Sequence, residues 1–538
     1  MGSTTELHAD VAVIGGGLGG VAAGLAATRA GCTVVLTEDS DWLGGQLTSQ
    51  AVPPDEHPWI ESFGCTASYR RLRDEIRDHY RRWYPLSLEA RSERHLNPGR
   101  GTVSALCVEP SAGVAVIEGM LAPQRSSGRL RVLLRHRPVG ASADGDRVTS
   151  VTLERSDAEQ VTVTAAFVLD ATETGELLAL AGVEHVTGAE SRDETGEAHA
   201  PAVGDPLNMQ AVSWCFAVDH IDGEDHTVDK PASYDFWRAH EPAAWTGPLL
   251  SFTAPVPRTG ESLARTFEPN LDLAADAVVD HRLVGGDTEL WRFRRIADRR
   301  TFVPGYLASD LTLVNWPMID YFEGPVLGET PDESGRHLRG ARELSLSFLH
   351  WLQTEAPRPD GGTGYPGLRL RPDIMGTCDG LAKRPYIRES RRIRALYTVV
   401  EEDVALASRP DGRAASYPDS VGVGSYRIDL HPTTGGDGYI DIASCPFEIP
   451  LRTLVPVRVQ NLLPAAKNIG TTHITNGCYR LHHVEWGIGE AAGSLAAFCV
   501  AERRSPQQVC DDDSLLQRFQ RRLVDDGVEL RWPDVRGY

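Results

Sequence analysis

The chain has 538 residues, 41 % hydrophobic and 24 % charged, which is enough for a large core spread over more than one domain. Its 54 Lys+Arg against 75 Asp+Glu leave a net charge of −21, which argues against a nucleic-acid partner or an anionic membrane surface. The nine cysteines form no CxxC pair and no segment is apolar enough for a membrane span, so a reduced, cytoplasmic protein without a metal centre is expected.

Met1–His8 has no basic segment leading into an apolar one, so no secretory leader is expected. Val11–Ile14 is an apolar run of strand length, and Gly15-Gly16-Gly17-Leu18-Gly19-Gly20 follows at once. Val21–Arg29 favours helix, and Thr33–Leu36 reads as a second buried strand ending at Glu38. This is a G-x-G-x-x-G turn in the strand–turn–helix–strand setting that a dinucleotide site needs. Gly15 permits the tight turn, Gly17 lets backbone approach a diphosphate, and Gly20 lets the helix pack on the strand. Leu18 and Gly19 open the helix, whose unpaired amides and positive dipole end attract the anion. Glu38 is placed to accept hydrogen bonds from ribose hydroxyls. Gly44-Gly45-Gln46 then suits a loop passing close to a diphosphate and ribityl chain.

Leu130–Asp170 reads as β-structure, with strands at Arg131–Leu134, Val148–Leu153, Val161–Val163 and Phe167–Leu169. Val139, between the first two, is assigned to the cofactor site, as are Ala171 and Thr172, small residues just past the last strand. From Gly188 to Gly424 prolines, tryptophans and charged loops are frequent, and Ala341–Thr354 is the clear helix. Gly362–Gly367 also spells G-x-G-x-x-G, but no strand precedes it and Pro366 stands where a helix would begin, so it reads as a loop. Val455–Leu463 leads into a loop carrying Lys467 and Asn468, and Val484–Val500 is a helix rich in small residues. Residues 505–538 read as a surface helix and tail.

In these features the sequence resembles FAD-dependent oxidoreductases of the glutathione-reductase-like flavoprotein superfold. The resemblance runs through the glycine turn with Glu38, Leu43–Ser49, Asp170–Glu176, Arg384–Ile393, Ser420–Pro432, Phe447–Thr453 and Asn461–Gly493. It implies an α/β fold in which a Rossmann-type FAD-binding domain, a parallel sheet plus β-meander, carries an inserted α+β substrate or cap domain. The expected division is 1–187 and 425–504 for the FAD-binding domain, 188–424 for the cap and 505–538 for the C-terminal segment. After Asn315-Trp316-Pro317 this chain has Met318-Ile319 where similar proteins carry a polar pair, so no substrate role is expected of that loop.

A flavin oxidoreductase needs positive charge near flavin N1/O2 and, for an alcohol or amine, a base. Gly487 and Ile488 amides at the start of the C-terminal helix, Lys467, and Asn468 are the candidates on the flavin side. His431 is the favoured base, since Asp429 lies two residues away on the same face of an extended segment. His473 is its rival, Arg388 can grip a carboxylate, and Cys65 is a possible neighbour of the ring. The expected activity is an oxidase or dehydrogenase removing a hydride from a small-molecule alcohol or amine, reoxidised by oxygen or an external electron acceptor. An NAD(P)H-dependent monooxygenase and a redox-neutral lyase or isomerase are the alternatives.

Overall fold

The computed structural model describes residues 5–271 and 288–537. Strand β1 (Thr5–Ile14), helix α1 (Leu18–Arg29) and strand β2 (Val34–Glu38) form the first βαβ unit, with β1 parallel to β2 from Val11↔Val34 to Val13↔Leu36. Val11 to Ile14 are buried, as a central parallel strand covered on both faces requires. Helices α2 (Ala67–Trp83) and α3 (Pro110–Ser126) lead to β3 (Leu130–Leu134), which pairs parallel with β2. The expected Arg131–Leu134 strand is therefore the outer parallel strand of the sheet.

The meander is β4 (His136–Asp144), β5 (Arg147–Arg155) and β6 (Gln160–Asp170). β6 is one strand where the sequence suggested two. It lies parallel to β1 from Thr5↔Val161 to Ile14↔Asp170 in one register, which carries the weakly apolar Thr164 and Ala165 through the middle and skips only Ala166.

In the middle of the chain β7 (Phe216–His220), β8 (Arg295–Ala297), β9 (Leu311–Val314) and β10 (Leu368–Leu370) form an antiparallel sheet in the order β8-β9-β7-β10. Helix α4 (Pro331–Thr354) lies between β9 and β10 in the chain and begins well before the expected Ala341. Thr330 caps it by accepting from the Glu333 amide at 3.3 Å, and its first turns are polar, so no apolar stripe announces them. Gly362–Gly367 is a loop.

The C-terminal part pairs β11 (Ser420–Gly424) with a later strand and β12 (Ile428–Leu430) with β13 (Ile440–Ile442). β11's partner is β14 (Phe447–Pro450), and β15 (Leu462–Pro464) returns to the large sheet beside β6. Helices α5 (His473–Tyr479), α6 (His482–Glu502) and α7 (Asp513–Asp525) follow. α6 crosses α1 backbone to backbone: a Cβ at Gly489 would stand 2.0 Å from Gly19 O, and one at Gly493 would stand 2.3 Å from Ala23 O. The tail is more than a surface appendage, because Trp532 packs edge-on against His57 and Phe63 and donates from Nε1 to Phe447 O at 2.8 Å. No helix among the described residues is long and apolar enough to cross a membrane.

Candidate active site

β1 delivers the glycine turn to the head of α1. Gly15 sits at φ +105°, and a Cβ there would collide with Ala171 O at 2.2 Å. The Ala171 amide in turn donates to Ile14 O at 2.7 Å, so the Ala171-Thr172 segment lies directly on the turn. A Cβ at Gly20 would meet Gly15 O at 2.0 Å, as expected from its packing task, and one at Gly19 would meet Ala465 O at 1.9 Å. Glu38 is buried at the end of β2 and accepts from the Gly16 and Ser40 amides, both at 3.0 Å. Burial, with Asp39 beside it, pushes its carboxyl well above the usual range.

The Gly15 and Gly16 amides are engaged by Thr37 and Glu38, and the Gly19 amide by Glu485 at 3.2 Å. The Gly17 and Leu18 amides have no partner among the described residues, and no side chain caps α1. These two consecutive donors at a helix N-terminus fit a diphosphate. The second glycine pair is bound to the first, since the Gly44 amide donates to Gly16 O at 2.8 Å. Gly44 and Gly45 both take positive φ, 109° and 48°, which favours glycine at each. Farther along the loop Gln50 is wholly buried, yet neither end of its amide has a partner among the described residues. A flavin pyrimidine edge, with a donor and acceptors side by side, matches that amide. The residues present therefore fit a flavin dinucleotide. Val139 lies at the bulge of β4, between the Pro138↔Leu153 and Gly140↔Thr152 pairs.

Lys467 is not a solvated loop residue. It is 1 % exposed and ion-paired to Glu173, beside Glu485, which also accepts from Gln46 Nε2. Burial lowers its ammonium, but Glu173 and Glu485 more than offset this, so it is held above its ordinary range. Asn468 ties the same loop to β6, donating to Asp170 O at 3.0 Å. Gly487 and Ile488 require a correction as amide donors. α6 starts at His482, with the Glu485 amide already bonded to Leu481 O at 2.8 Å, so both residues lie in its second turn, where amides belong to the helix ladder.

Beyond this loop lies a cavity of about 1170 Å³. Its lining includes Asp55–Pro58, Arg294, Asn315–Pro317, Arg388, Tyr426, Asp429, His431 and Tyr439. His431 Nδ1 lies 2.5 Å from Asp320 Oδ2, and Asp320, 1 % exposed, is anchored by Arg388 Nη2 at 3.0 Å and Ser213 Oγ at 2.6 Å. Burial would raise the Asp320 carboxyl, but Arg388 and His431 hold it below its ordinary range. The partner that orients His431 is therefore Asp320, not Asp429. Asp429 Oδ2 stands 3.6 Å from Nε2, too long for a hydrogen bond, and pairs with Arg480 at 3.2 Å. Arg480 Nη1 also contacts Tyr386 Oη at 3.0 Å, which donates to Gln46 Oε1 at 3.3 Å, so polar contacts join the glycine-pair loop to the cavity.

Arg388 spends its guanidinium on Asp320, Ser213 and Ala211 O, although its Nε has no partner among the described residues. His473 lies outside the cavity lining. At the head of α5 it contacts Glu389 at 3.0 Å, and Glu389 also receives Arg392 at 2.5 Å. Cys65 is buried, burial pushes its thiol up to about 12, and it too lies outside the cavity. The sequence reading missed Asp320, Gln50, Arg294 and Arg480. Asp320 follows the Met318-Ile319 pair that seemed to remove the loop from the site, and a carboxylate inside an apolar run was the available signal.

A family model described as FAD dependent oxidoreductase matches residues 10–523. No curated protein matches the chain. Among solved structures, p-nitrophenol 4-monooxygenase from Pseudomonas putida DLL-E4 is similar at 10% identity over 98% of this chain and 88% of that one, with a TM-score of 0.35. A geranylgeranyl bacteriochlorophyll reductase-like protein from Thermoplasma acidophilum is similar at 10% identity over 97% and 85%, with a TM-score of 0.34. L-proline dehydrogenase from P. horikoshii is similar at 16% identity over 35% of this chain, with a TM-score of 0.18; this chain spans 25% of its length.

Proposed function

Because the chain belongs to the FAD-dependent oxidoreductase family and is an enzyme with FAD as its cofactor, we propose that it oxidises a small alcohol or amine in the His431 cavity, with His431 as the base. One observation carries the reading: a cavity-lining imidazole held through Nδ1 by a buried carboxylate that is itself anchored by Arg388. The Nδ1–H donates to Asp320, which leaves the Nε2 lone pair free to take a proton from a substrate hydroxyl or ammonium. Asp429, 3.6 Å from Nε2, stabilises the imidazolium that results. Burial would raise the Asp429 carboxyl, but His431 and Arg480 hold it well below the usual range, so it stays charged.

FAD, when bound, supplies the acceptor for the hydride, and oxygen or an external acceptor reoxidises it. Gly17 and Leu18 bind the diphosphate, Glu38 the ribose, and the Gly44–Gln50 loop the flavin end. In this reading 1–187 and 425–504 hold the cofactor, 188–424 covers the substrate, and 505–538 braces the cavity wall through Trp532.

The test is anaerobic reduction of the bound FAD, followed by its visible absorbance, with a substrate found by screening alcohols and amines. His431→Gln should retain FAD and slow reduction by roughly 10²–10⁴-fold. Reduction at the wild-type rate would remove His431 from the chemistry.

A further inference from the structure

The cavity lining also carries information about what its substrate presents, and the inference rests on the oxidation reading above. Among the described residues, the lining side-chain atoms that are buried without a hydrogen-bond partner are Arg100 Nε, Arg292 Nε, Arg294 Nη1, Trp316 Nε1, Arg388 Nε and Tyr439 Oη. Every one can donate and none is an acceptor alone. Elsewhere among the described residues four pure acceptors are left over, Gln50 Oε1, Glu184 Oε2, Asn476 Oδ1 and Gln507 Oε1, and none of them lines this cavity. Buried donors are satisfied only by oxygen or nitrogen acceptors brought in from outside.

Most of the lining carboxylates are engaged elsewhere, and Asp55 reaches Arg294 only as a 3.6 Å ion pair. Glu56 and Glu61 are held from behind the wall by Arg73, at 2.9 and 2.7 Å. Glu93 is taken by Arg100 at 2.6 Å, Asp429 by Arg480 at 3.2 Å, and Asp441 by Arg427. Arg292, by contrast, has no ion-pair partner among the described residues. Burial, with Arg295 close by, pushes its guanidinium below the ordinary range. Arg294 Nε donates to Asn315 O at 3.1 Å, while its Nη1 has only Asp55 at 3.6 Å, beyond hydrogen-bond reach. The lining carries eight arginines against seven carboxylates, close to balance in a chain of net charge −21. Asn315 leads through Trp316 and Pro317 to Asp320, so the segment that holds Arg294 also holds His431.

We propose that Arg292 and Arg294 form a carboxylate subsite, so that the substrate is a small organic acid bearing the alcohol or amine to be oxidised. A guanidinium presents paired donors in a plane that matches a carboxylate, and among the described residues no carboxylate lies within hydrogen-bond distance of the Arg292 or Arg294 guanidinium.

Calorimetric titration of the FAD-loaded protein with phenylacetate and with its neutral isostere phenylacetamide tests this without turnover. Phenylacetate should bind roughly tenfold or more tightly than the amide at low ionic strength. Arg294→Met and Arg292→Met should each weaken phenylacetate roughly tenfold or more, leave phenylacetamide unchanged, and regain part of the loss as the lysine variants. Equal affinity for the two probes, no binding of phenylacetate, or methionine variants that keep wild-type melting temperature, FAD content and phenylacetate affinity would overturn the proposal. Should Arg294→Met fail to fold, Arg292→Met, on a half-buried side chain, carries the test. Failure here leaves the role of His431 standing, because that role is read from flavin reduction and this one from ligand affinity.

Discussion

At the scale of single residues, the site is a set of charges that are costly to separate. Asp320 accepts from Arg388 and Ser213 and holds the His431 ring, so it is a positioning residue with three partners. Asp320→Asn should lower the limiting rate of flavin reduction roughly 10²-fold or more while leaving the apparent substrate Kd within about twofold, because the ring loses its orientation and not its contact with substrate. A rise in Kd with an unchanged limiting rate would place Asp320 in binding instead. Lys467 is the clearest case of a residue whose type was visible and whose surroundings were not: from its loop it reads as a positive charge for the flavin side, and in the fold it is buried and paired to Glu173 beside Glu485. Lys467→Met should destabilise the protein by about 3 kcal/mol or more, measured as a lower urea midpoint, since the buried Glu485 and the partly buried Glu173 lose their counter-charge.

Among the elements, the close crossing of α1 and α6 does most to place the cofactor loop. Gly489 touches Gly19 O and Gly493 touches Ala23 O, and both opposing atoms are backbone that cannot move aside cheaply. Gly489→Ala should therefore cost about 1–3 kcal/mol and reduce the FAD retained on purification. Gly487, two residues earlier in the same helix, has only Ile449 Cδ1 at 3.8 Å, so Gly487→Ala should keep the wild-type melting temperature or raise it slightly. A matched loss of stability in both variants would show that helix propensity, and not the crossing, controls the response. The small residues of α6 were legible as permission for close approach, but the sequence does not say whether to a neighbouring helix or to a bound ring. Their partner is α1, and nothing within α6 itself distinguishes the two.

For the whole molecule, buried carboxyls couple stability to pH. Burial raises Glu197 to about 7 from an ordinary 4.5, and its side chain is 1 % exposed, accepting from Thr472 Oγ1 at 2.6 Å and the Glu401 amide at 2.8 Å. A carboxyl whose folded pKa is raised contributes stability below its unfolded pKa, and that contribution is lost as pH rises through the folded value. Glu197→Gln should thus match the wild type near pH 4 and exceed it above pH 7 by at most about 3 kcal/mol, read from urea midpoints across that range. The fold class, the FAD-type glycine turn and its cofactor were legible in the sequence, because βαβ patterning and glycine spacing act over tens of residues and are local in the chain. His431 was legible as a candidate base, and it lines the cavity. Its orienting carboxylate was not, because Asp320 lies on a different segment and joins it only when the chain that follows β9 is brought against the end of β12. The continuity of β6, the burial of Lys467 and the arginines of the cavity were likewise decided by tertiary structure. Sequence periodicity reports which face of an element is apolar, whereas desolvation and charge pairing depend on what packs against that face, and only the folded chain determines it.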